Sequence, residues 1–429
     1  MYTKYDELTD SKIKWIGEMP AYWEKSKFKH NFTFSKAINT SKNPVILSLT
    51  LQGIKIRDIS TNEGQIASSY DNYTKVFKND IVLNPMDLIS GFVDCSPVEG
   101  VISPAYYTLK PNKDIDSGYY KYYLQKHYYE QIFFPFAEGV SVDHRWTLKK
   151  EDFLNFSLIK PPIDEQKQIA NYLDKETSKI DETIAKNEEL IQLLEEKRIA
   201  LINQAVTKGL NPDVPMKDSG IEWIGEIPEH WEIEKLKKYF SIYNGSTPKD
   251  IEENWGGDIC WITPADYKTS DIYINNSSRQ ITKVGLNSCG THLVPKGSII
   301  VSNRAPIGSV AIANRDLCTN QGCKSLVIKR NINTKFVYYV LSINENELNR
   351  LGRGTTFMEL SSYDLGAFQI PVAPFSEQKN IVEYLDNEIS KLNSTIHKIN
   401  KNINLLEEYK TSLIHHVVTG KVDVRGEEI

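Results

Sequence analysis

Residues 10–24 read DSKIKWIGEMPAYWE and residues 218–232 read DSGIEWIGEIPEHWE, with ten of fifteen positions identical at an offset of 208. A second match, at an offset of 212, pairs residues 165–207 with residues 377–419 and holds 22 identities in 43 positions. Residues 25–160 and 233–371, which lie between the matched blocks, show little resemblance to each other. A duplication of this kind dictates architecture before any residue is read singly. The chain is two copies of one unit that keep their framework and differ in their insides.

The long matched blocks are expected to be helices. Each runs more than 40 residues without Gly or Pro and is rich in Glu, Lys, Leu and Ile. In the first, Ile169, Leu173, Ile180, Ile184, Ile191, Leu194 and Leu201 fall on a stripe spaced by three and four. In the second, Ile381, Leu385, Leu392, Ile396, Ile403, Leu406 and Leu413 hold the same register. So narrow a stripe predicts a coiled-coil seam. Two such rods separated by a whole domain most simply pair antiparallel within the chain, although pairing of each with a separate partner would satisfy the stripe as well. Glu176, Asn187, Arg198, Glu388 and Lys410 break into it. Two readings of these stay open: they sit at the stripe's edge, or they fix register and partner direction. Pro161-Pro162 and Pro374 mark the helix starts; Thr207-Lys208-Gly209 and Thr419-Gly420 mark the ends. Forty-three helical residues make a rod of roughly 65 Å.

The variable regions read as mixed and β-rich. Short β-branched runs at 80–84, 101–103, 298–302 and 309–313 are bounded by turn residues. A helix is expected near the end of each region, at Tyr119–Leu124 and Phe336–Leu341, with the tyrosines as core rather than a base-stacking platform.

Chemical signatures are sparse. Neither GxGxxG nor GxxxxGK[ST] occurs, so no nucleotide or S-adenosylmethionine cradle of that kind is expected. Asn84-Pro85-Met86-Asp87 lacks the second proline and the aromatic residue of an aminomethyltransferase motif. Glu165-Gln166-Lys167 and Glu377-Gln378-Lys379 look like half of a nuclease metal site, but each opens a long helix, where the dipole favours an acidic residue. Cys318 and Cys323 have no paired His or Cys to complete a zinc site, and His415-His416 are neighbours that do not face one way. The reading is a chain with no catalytic residue, no metal and no cofactor of its own. Five scattered cysteines fit reduced thiols, and no apolar run approaches the ~18 residues of a membrane span, so a cytoplasmic location is expected.

The framework resembles the specificity (S) subunit of type I restriction–modification enzymes. The carriers are Trp15-Ile-Gly-Glu-Met-Pro-Ala-Tyr-Trp23 with its twin Trp223-Ile-Gly-Glu-Ile-Pro-Glu-His-Trp231, and Pro162-Ile-Asp-Glu-Gln166 with Pro374-Phe-Ser-Glu-Gln378. Arg304-Ala-Pro-Ile-Gly308 with Thr319-Asn-Gln-Gly322 also resembles a common type of second recognition domain. The resemblance covers essentially the whole chain and implies an α+β fold. Two pseudo-twofold-related α/β target-recognition domains (1–160 and 219–373) would be separated by an antiparallel two-helix coiled coil (161–210 and 374–420), with a linker at 211–218 and a tail at 421–429. It further implies that each domain reads half of a split, asymmetric site in the major groove of double-stranded DNA, since a true homodimer would impose palindromy. The rod caps the separation at about 19 base pairs. The implied partners are DNA, two methyltransferase (M) subunits and an optional restriction/translocase (R) subunit. S-adenosylmethionine, ATP and Mg belong to those partners, and no membrane is involved. The duplicated framework alone equally permits a coiled-coil scaffold with two protein-binding heads.

Charge refines the DNA expectation. The net charge of -5 resides in the rods and linker. Residues 1–160 carry 20 basic against 19 acidic side chains, and residues 219–371 carry 16 of each. Near-neutral domains bind DNA only where their basic residues gather on one face. The candidate readers are bidentate donors on loops: Lys55, Arg57, Lys75, His144 and Arg145 in the first domain; Lys249, Arg279, Arg304, Gln321, Lys324 and Arg353 in the second.

Overall fold

The computed structural model describes residues 4–50, 52–59, 67, 69–88, 92–139, 146–267, 272–304, 306–354 and 358–427. It divides into two compact units, Met1–Glu188 with Asn400–Ile429, and Glu189–Ile399. The two long blocks are helices, Ile163–Lys208 and Phe375–Val418. Each helix is therefore shared, half to one unit and half to the other. Within each unit the early half of one helix lies with the late half of the other, which is antiparallel pairing.

The first unit is built on a four-stranded antiparallel sheet in the order Phe32–Phe34, Tyr107–Pro111, Ile81–Leu83, Val93–Cys95. Helix Ser117–Tyr129, capped by the Asp116 carboxylate on the Tyr119 amide, carries the tyrosine cluster. Tyr119, Tyr120 and Tyr123 are fully buried, and the Tyr119 and Tyr120 hydroxyls donate to the carbonyls of Val418 and Ile159. They are core, as the sequence suggests. The second unit holds a five-stranded sheet, Phe240–Asn244, Cys323–Ile328, Ile299–Ser302, Val310–Ala313, Tyr273–Ile274. A three-stranded sheet, Arg279–Ile281, Trp255–Ile262, Leu317–Thr319, lies beside it, and helix Thr334–Ser342 follows. The heads differ in sheet size and order, which is why their sequences do not align.

The framework is the same twice, and hydrogen bonds explain its motifs. Ser157–Lys160 pairs with Glu24–Lys27, and Gln369–Val372 pairs with Glu232–Lys235. Glu165, in the first turn of its helix, accepts from the hydroxyl of Tyr5 (2.6 Å) and the indole of Trp23 (3.1 Å). Glu377 accepts from the indole of Trp231 at 3.0 Å and bonds His230 at 2.8 Å. Gln166 accepts from the Asp116 amide and donates to the Pro161 carbonyl, both at 2.8 Å. Gln378 repeats this with the Asn333 amide and the Ala373 carbonyl. The Glu-Gln pair thus ties the opening tryptophan segment and the start of the tyrosine-bearing helix of each head (Ser117–Tyr129 and Thr334–Ser342) to the rod. Asp174 and Asp386 repeat a further tie, each holding a lysine (Lys121, Lys335) and a tyrosine (Tyr122, Tyr339).

The seam is unevenly buried. Ile169, Leu173, Ile180, Ile381, Leu385, Leu392 and Leu413 are buried where the heads cover the rods. Ile184, Ile191, Leu194, Leu201, Ile396, Ile403 and Leu406 are only partly buried; of these, Ile184 and Leu406 pack against the edge of the first core and Leu201 against the second. Of the polar interruptions, Lys410 reaches across to both carboxylate oxygens of Asp181 at 2.6 and 2.7 Å. Glu176, Arg198 and Glu388 pair with Lys179, Glu195 and Lys391 on their own helices. Lys410 is therefore a cross-helix contact, and these three sit at the edge.

Burial also creates a pH response. His127 is fully buried in the first unit, and its Nδ1 lies 2.7 Å from the Tyr123 carbonyl, so that nitrogen carries the proton. Burial, with Lys126 adjacent, pushes its pKa down to about 3. The unfolded chain takes up a proton near pH 6.5 and the folded one does not, so stability falls as pH drops below 6.5. Between pH 7 and 5 this histidine is expected to remove about 2 kcal/mol from the first unit. His127→Phe should flatten that slope; equal slopes in wild type and variant denaturation curves would refute the assignment.

Candidate nucleic-acid interface

In the second unit three strand ends meet at one end of the five-stranded sheet. Asn244 closes the first strand opposite Lys324 at the start of its neighbour, and Ser302 lies opposite Cys323. Antiparallel pairing then sends the loops at 245–251, 303–309 and 320–322 out from the same end. Hydrogen bonds join them: the Asn303 amide donates to the Gly322 carbonyl at 2.9 Å, and Thr247 donates to Gln321. Trp261 donates its indole N–H to the Ser246 carbonyl at 2.9 Å, and Trp255 donates to the Lys249 carbonyl at 3.2 Å.

Five of the six residues chosen from sequence are exposed on this loop cluster or its flank. Arg279 lies with its guanidinium carbon 3.5 Å from the Trp255 ring centroid and bonds Asp250 at 3.3 Å. Arg304 bonds the Glu359 carboxylate through Nη2 at 3.0 Å and Nε at 3.3 Å. Arg353 bonds Asp364 at 3.0 Å. Lys249 and Gln321 are exposed at their loop tips.

Two placements differ from the sequence reading. Arg279 opens a strand rather than sitting in a loop. Lys324 lies inside strand Cys323–Ile328, is only 5% exposed, and donates to Asn244 Oδ1 at 2.8 Å. Burial lowers its pKa below the ordinary lysine value. The strand is buried on both faces over Cys323–Leu326, so this side chain lies inside the fold, where it props Asn244, whose Oδ1 also accepts from Ser362 at 2.7 Å.

Sequence reasoning missed the carboxylates. Asp250, Glu359 and Asp364 each hold one of the chosen arginines. Glu359 is 55 residues from Arg304, so no local pattern could link them. The surface is consequently mixed in sign, matching the even count of charges in the second variable region.

The first unit is less convergent. Arg57, Ile46, Val101 and Lys75 lie along one row of paired backbones: the Arg57 amide donates to the Ile46 carbonyl, Ile46 bridges Val101, and Val101 pairs with Lys75. Lys55 and Lys75 sit in strands, Gly53–Ile56 and Thr74–Val76, not in loops. Lys75 bonds Glu99 at 2.8 Å. Exposed Ile38, Val45 and Ile56 flank the row. His144 and Arg145 lie outside the described residues.

Among the described residues, no group of three or more His, Cys, Asp or Glu side chains has the geometry to hold a metal ion, and no helix is long and apolar enough to cross a membrane.

Residues 228–405 match the family model for the type I restriction modification DNA specificity domain. The type I restriction enzyme MjaIX specificity subunit of Methanocaldococcus jannaschii is 38% identical over 186 residues, spanning 41% of this chain and 43% of that protein, which is less than half its length. The putative MjaX specificity subunit of the same organism is 29% identical over 320 residues, 74% of this chain and 71% of that one. A solved chain from the study of complex assembly and conformational transition of the type I R-M system superposes with a TM-score of 0.72 at 16% identity, covering 93% of this chain and 98% of that one. The HsdS subunit from Thermoanaerobacter tengcongensis gives a TM-score of 0.51 at 16% identity over 94% of this chain and 98% of its own. At such identity the solved structures speak for the fold alone. With the duplicated framework found in both units, the chain is similar over residues 228–405 to the type I restriction modification DNA specificity domain and, over 74% of its length, to the putative MjaX specificity subunit.

Proposed function

We propose that this chain is the DNA sequence-specificity subunit of a type I restriction–modification complex. Each recognition domain reads one half of an asymmetric bipartite site in the major groove, and the helix pair sets the gap and docks methyltransferase subunits. Specificity subunits are in general non-catalytic; methylation and cleavage, with S-adenosylmethionine, ATP and Mg, reside on the partner subunits. The observation that carries this reading is the loop cluster at one sheet end of the second unit. There Arg279, Arg304 and Arg353 are exposed yet paired to carboxylates. A surface meant for phosphates alone would be positive throughout; one that alternates donors and acceptors suits base edges. Lys55, Arg57, Lys75, Lys249, Arg279, Arg304, Gln321 and Arg353 are the contact set, with His144 and Arg145 added from the sequence. Lys324 serves it indirectly by holding Asn244.

The test is methylation sequencing of cells that express the partner subunits, with and without this chain. One split, non-palindromic methylated motif should vanish when the chain is removed. If no such motif depends on the chain, the specificity reading is wrong and the scaffold with two protein-binding heads takes its place.

A further inference from the structure

The Arg304–Glu359 contact has a geometry that an ordinary surface ion pair does not need. Both side chains are about half exposed, at 47% and 42%, a setting in which an ion pair contributes little to stability. Yet the pair is fixed from several sides. Arg304 bonds Glu359 Oε2 through two nitrogens, and the fully buried Asn303 donates from Nδ2 to Oε1 at 3.0 Å. The backbone of Glu359 bridges both Arg304 and Arg353, and the next amide, of Leu360, donates to the Asn303 carbonyl at 2.9 Å. This degree of preorganisation aims a charged group at something outside the fold.

Counting donors and acceptors says at what. A carboxylate offers about four lone pairs, and Asn303 and Arg304 use three of Glu359's, which leaves one acceptor. A guanidinium has about five N–H groups, and Glu359 uses two of Arg304's, which leaves donors on both terminal nitrogens. The free edge of the pair therefore presents an acceptor beside donors. In the major groove a C·G pair presents the cytosine N4 amino donor beside guanine O6 and N7 acceptors, which is the complement. A T·A pair presents the thymine O4 acceptor at that place, against the carboxylate. An A·T pair presents a donor and an acceptor there but a methyl group where guanine N7 would be, so C·G alone satisfies the carboxylate and both guanidinium donors. Phosphate is excluded as the target of the pair, because Glu359 would face like charge.

We propose that Arg304 and Glu359 act together as one base-reading unit of the second recognition domain, specific for a C·G pair, with Asn303 as the positioning residue for Glu359. This rests on the specificity function proposed above and adds the identity of one base pair in its second half-site.

The experiment uses the full chain co-expressed with its methyltransferase partners and compares methylated motifs of wild type, Glu359→Gln and Arg304→Lys. Wild type serves as the control for the underlying function: with no split motif there, the specificity reading itself has failed. With the motif present, each variant is expected to lose discrimination at one and the same C·G position of one half-site, by about tenfold or more, while every other position keeps its preference. Glutamine puts an amide donor where the acceptor was, and lysine removes the fork. Motifs unchanged in both variants overturn the proposal, as does a wild-type second half-site without a C·G pair. Loss of all methylation in both variants overturns it too, because a pair whose conservative replacement abolishes the complex is a structural strut.

Discussion

Expressed alone, residues 189–399 are expected to fold cooperatively, whereas residues 1–188 are not. The second unit draws its core from one continuous stretch: Ile202, Val206, Trp231, Phe240, Ile299, Leu326, Phe336, Ile381 and Leu385 all lie within it. The first unit takes Leu413, Ile414, Val417 and Val418 from the end of the second long helix, and Val422 and Val424 from the segment after it. It also needs the Val418 carbonyl to satisfy the buried Tyr119 hydroxyl. The four helical aliphatics alone contribute about 6 to 12 kcal/mol of burial, taking roughly 1.5 to 3 kcal/mol for each. That is comparable to the whole stability of a domain. Thermal unfolding followed by circular dichroism should show a sigmoidal transition for 189–399 and none for 1–188. Adding a peptide of residues 400–429 to the second fragment should restore one. A cooperative transition in 1–188 without the peptide would mean that the shared helix end is not part of its core.

That asymmetry was only partly legible in the sequence. The duplication, the two rods and the buried role of Tyr119, Tyr120 and Tyr123 could be read from identity, from the absence of Gly and Pro, and from position ahead of the rod. These are local or periodic signals. What could not be read is which half of each rod serves which head, because Leu201 and Leu413 carry the same stripe whichever head covers them. The Glu-Gln doublets invited a metal-site reading since their charge is visible in one dimension, while their partners Trp23, Trp231, Asp116 and Asn333 lie 45 to 146 residues away. The candidate interface shows the same limit. Arginines were legible as donors, but Asp250, Glu359 and Asp364 become their partners only when strand ends converge. Lys324 was misplaced because its strand is covered on both faces by segments distant in sequence, which its own charge gives no sign of.

Trp231→Ala should cost the second unit about 3 to 5 kcal/mol, the usual range for removing a buried tryptophan, and leave the first unit untouched. Trp231 is fully buried, its ring packs against Gly209 at the end of the first long helix, and its indole N–H is bonded to Glu377. Gly209 has φ +75°, the left-handed conformation that ends the helix, and a Cβ there would come within 3.2 Å of the tryptophan ring. Alanine would therefore empty the joint at which the linker leaves the rod and the second framework begins. Trp231→Phe keeps most of the ring and removes the N–H. Glu377 retains His230 and is 40% exposed, so its loss is offset by water and the cost should be less than half that of alanine. Trp23→Ala is the matching change in the first unit, where Gly420 (φ +72°) stands in the same relation to Trp23. Hydrogen exchange on the full chain separates the two. Protection should fall in 219–373 for the first variant and in 5–160 for the second, each by two to four orders of magnitude for those energies. Equal loss in both units from either substitution would show that the two heads unfold as one.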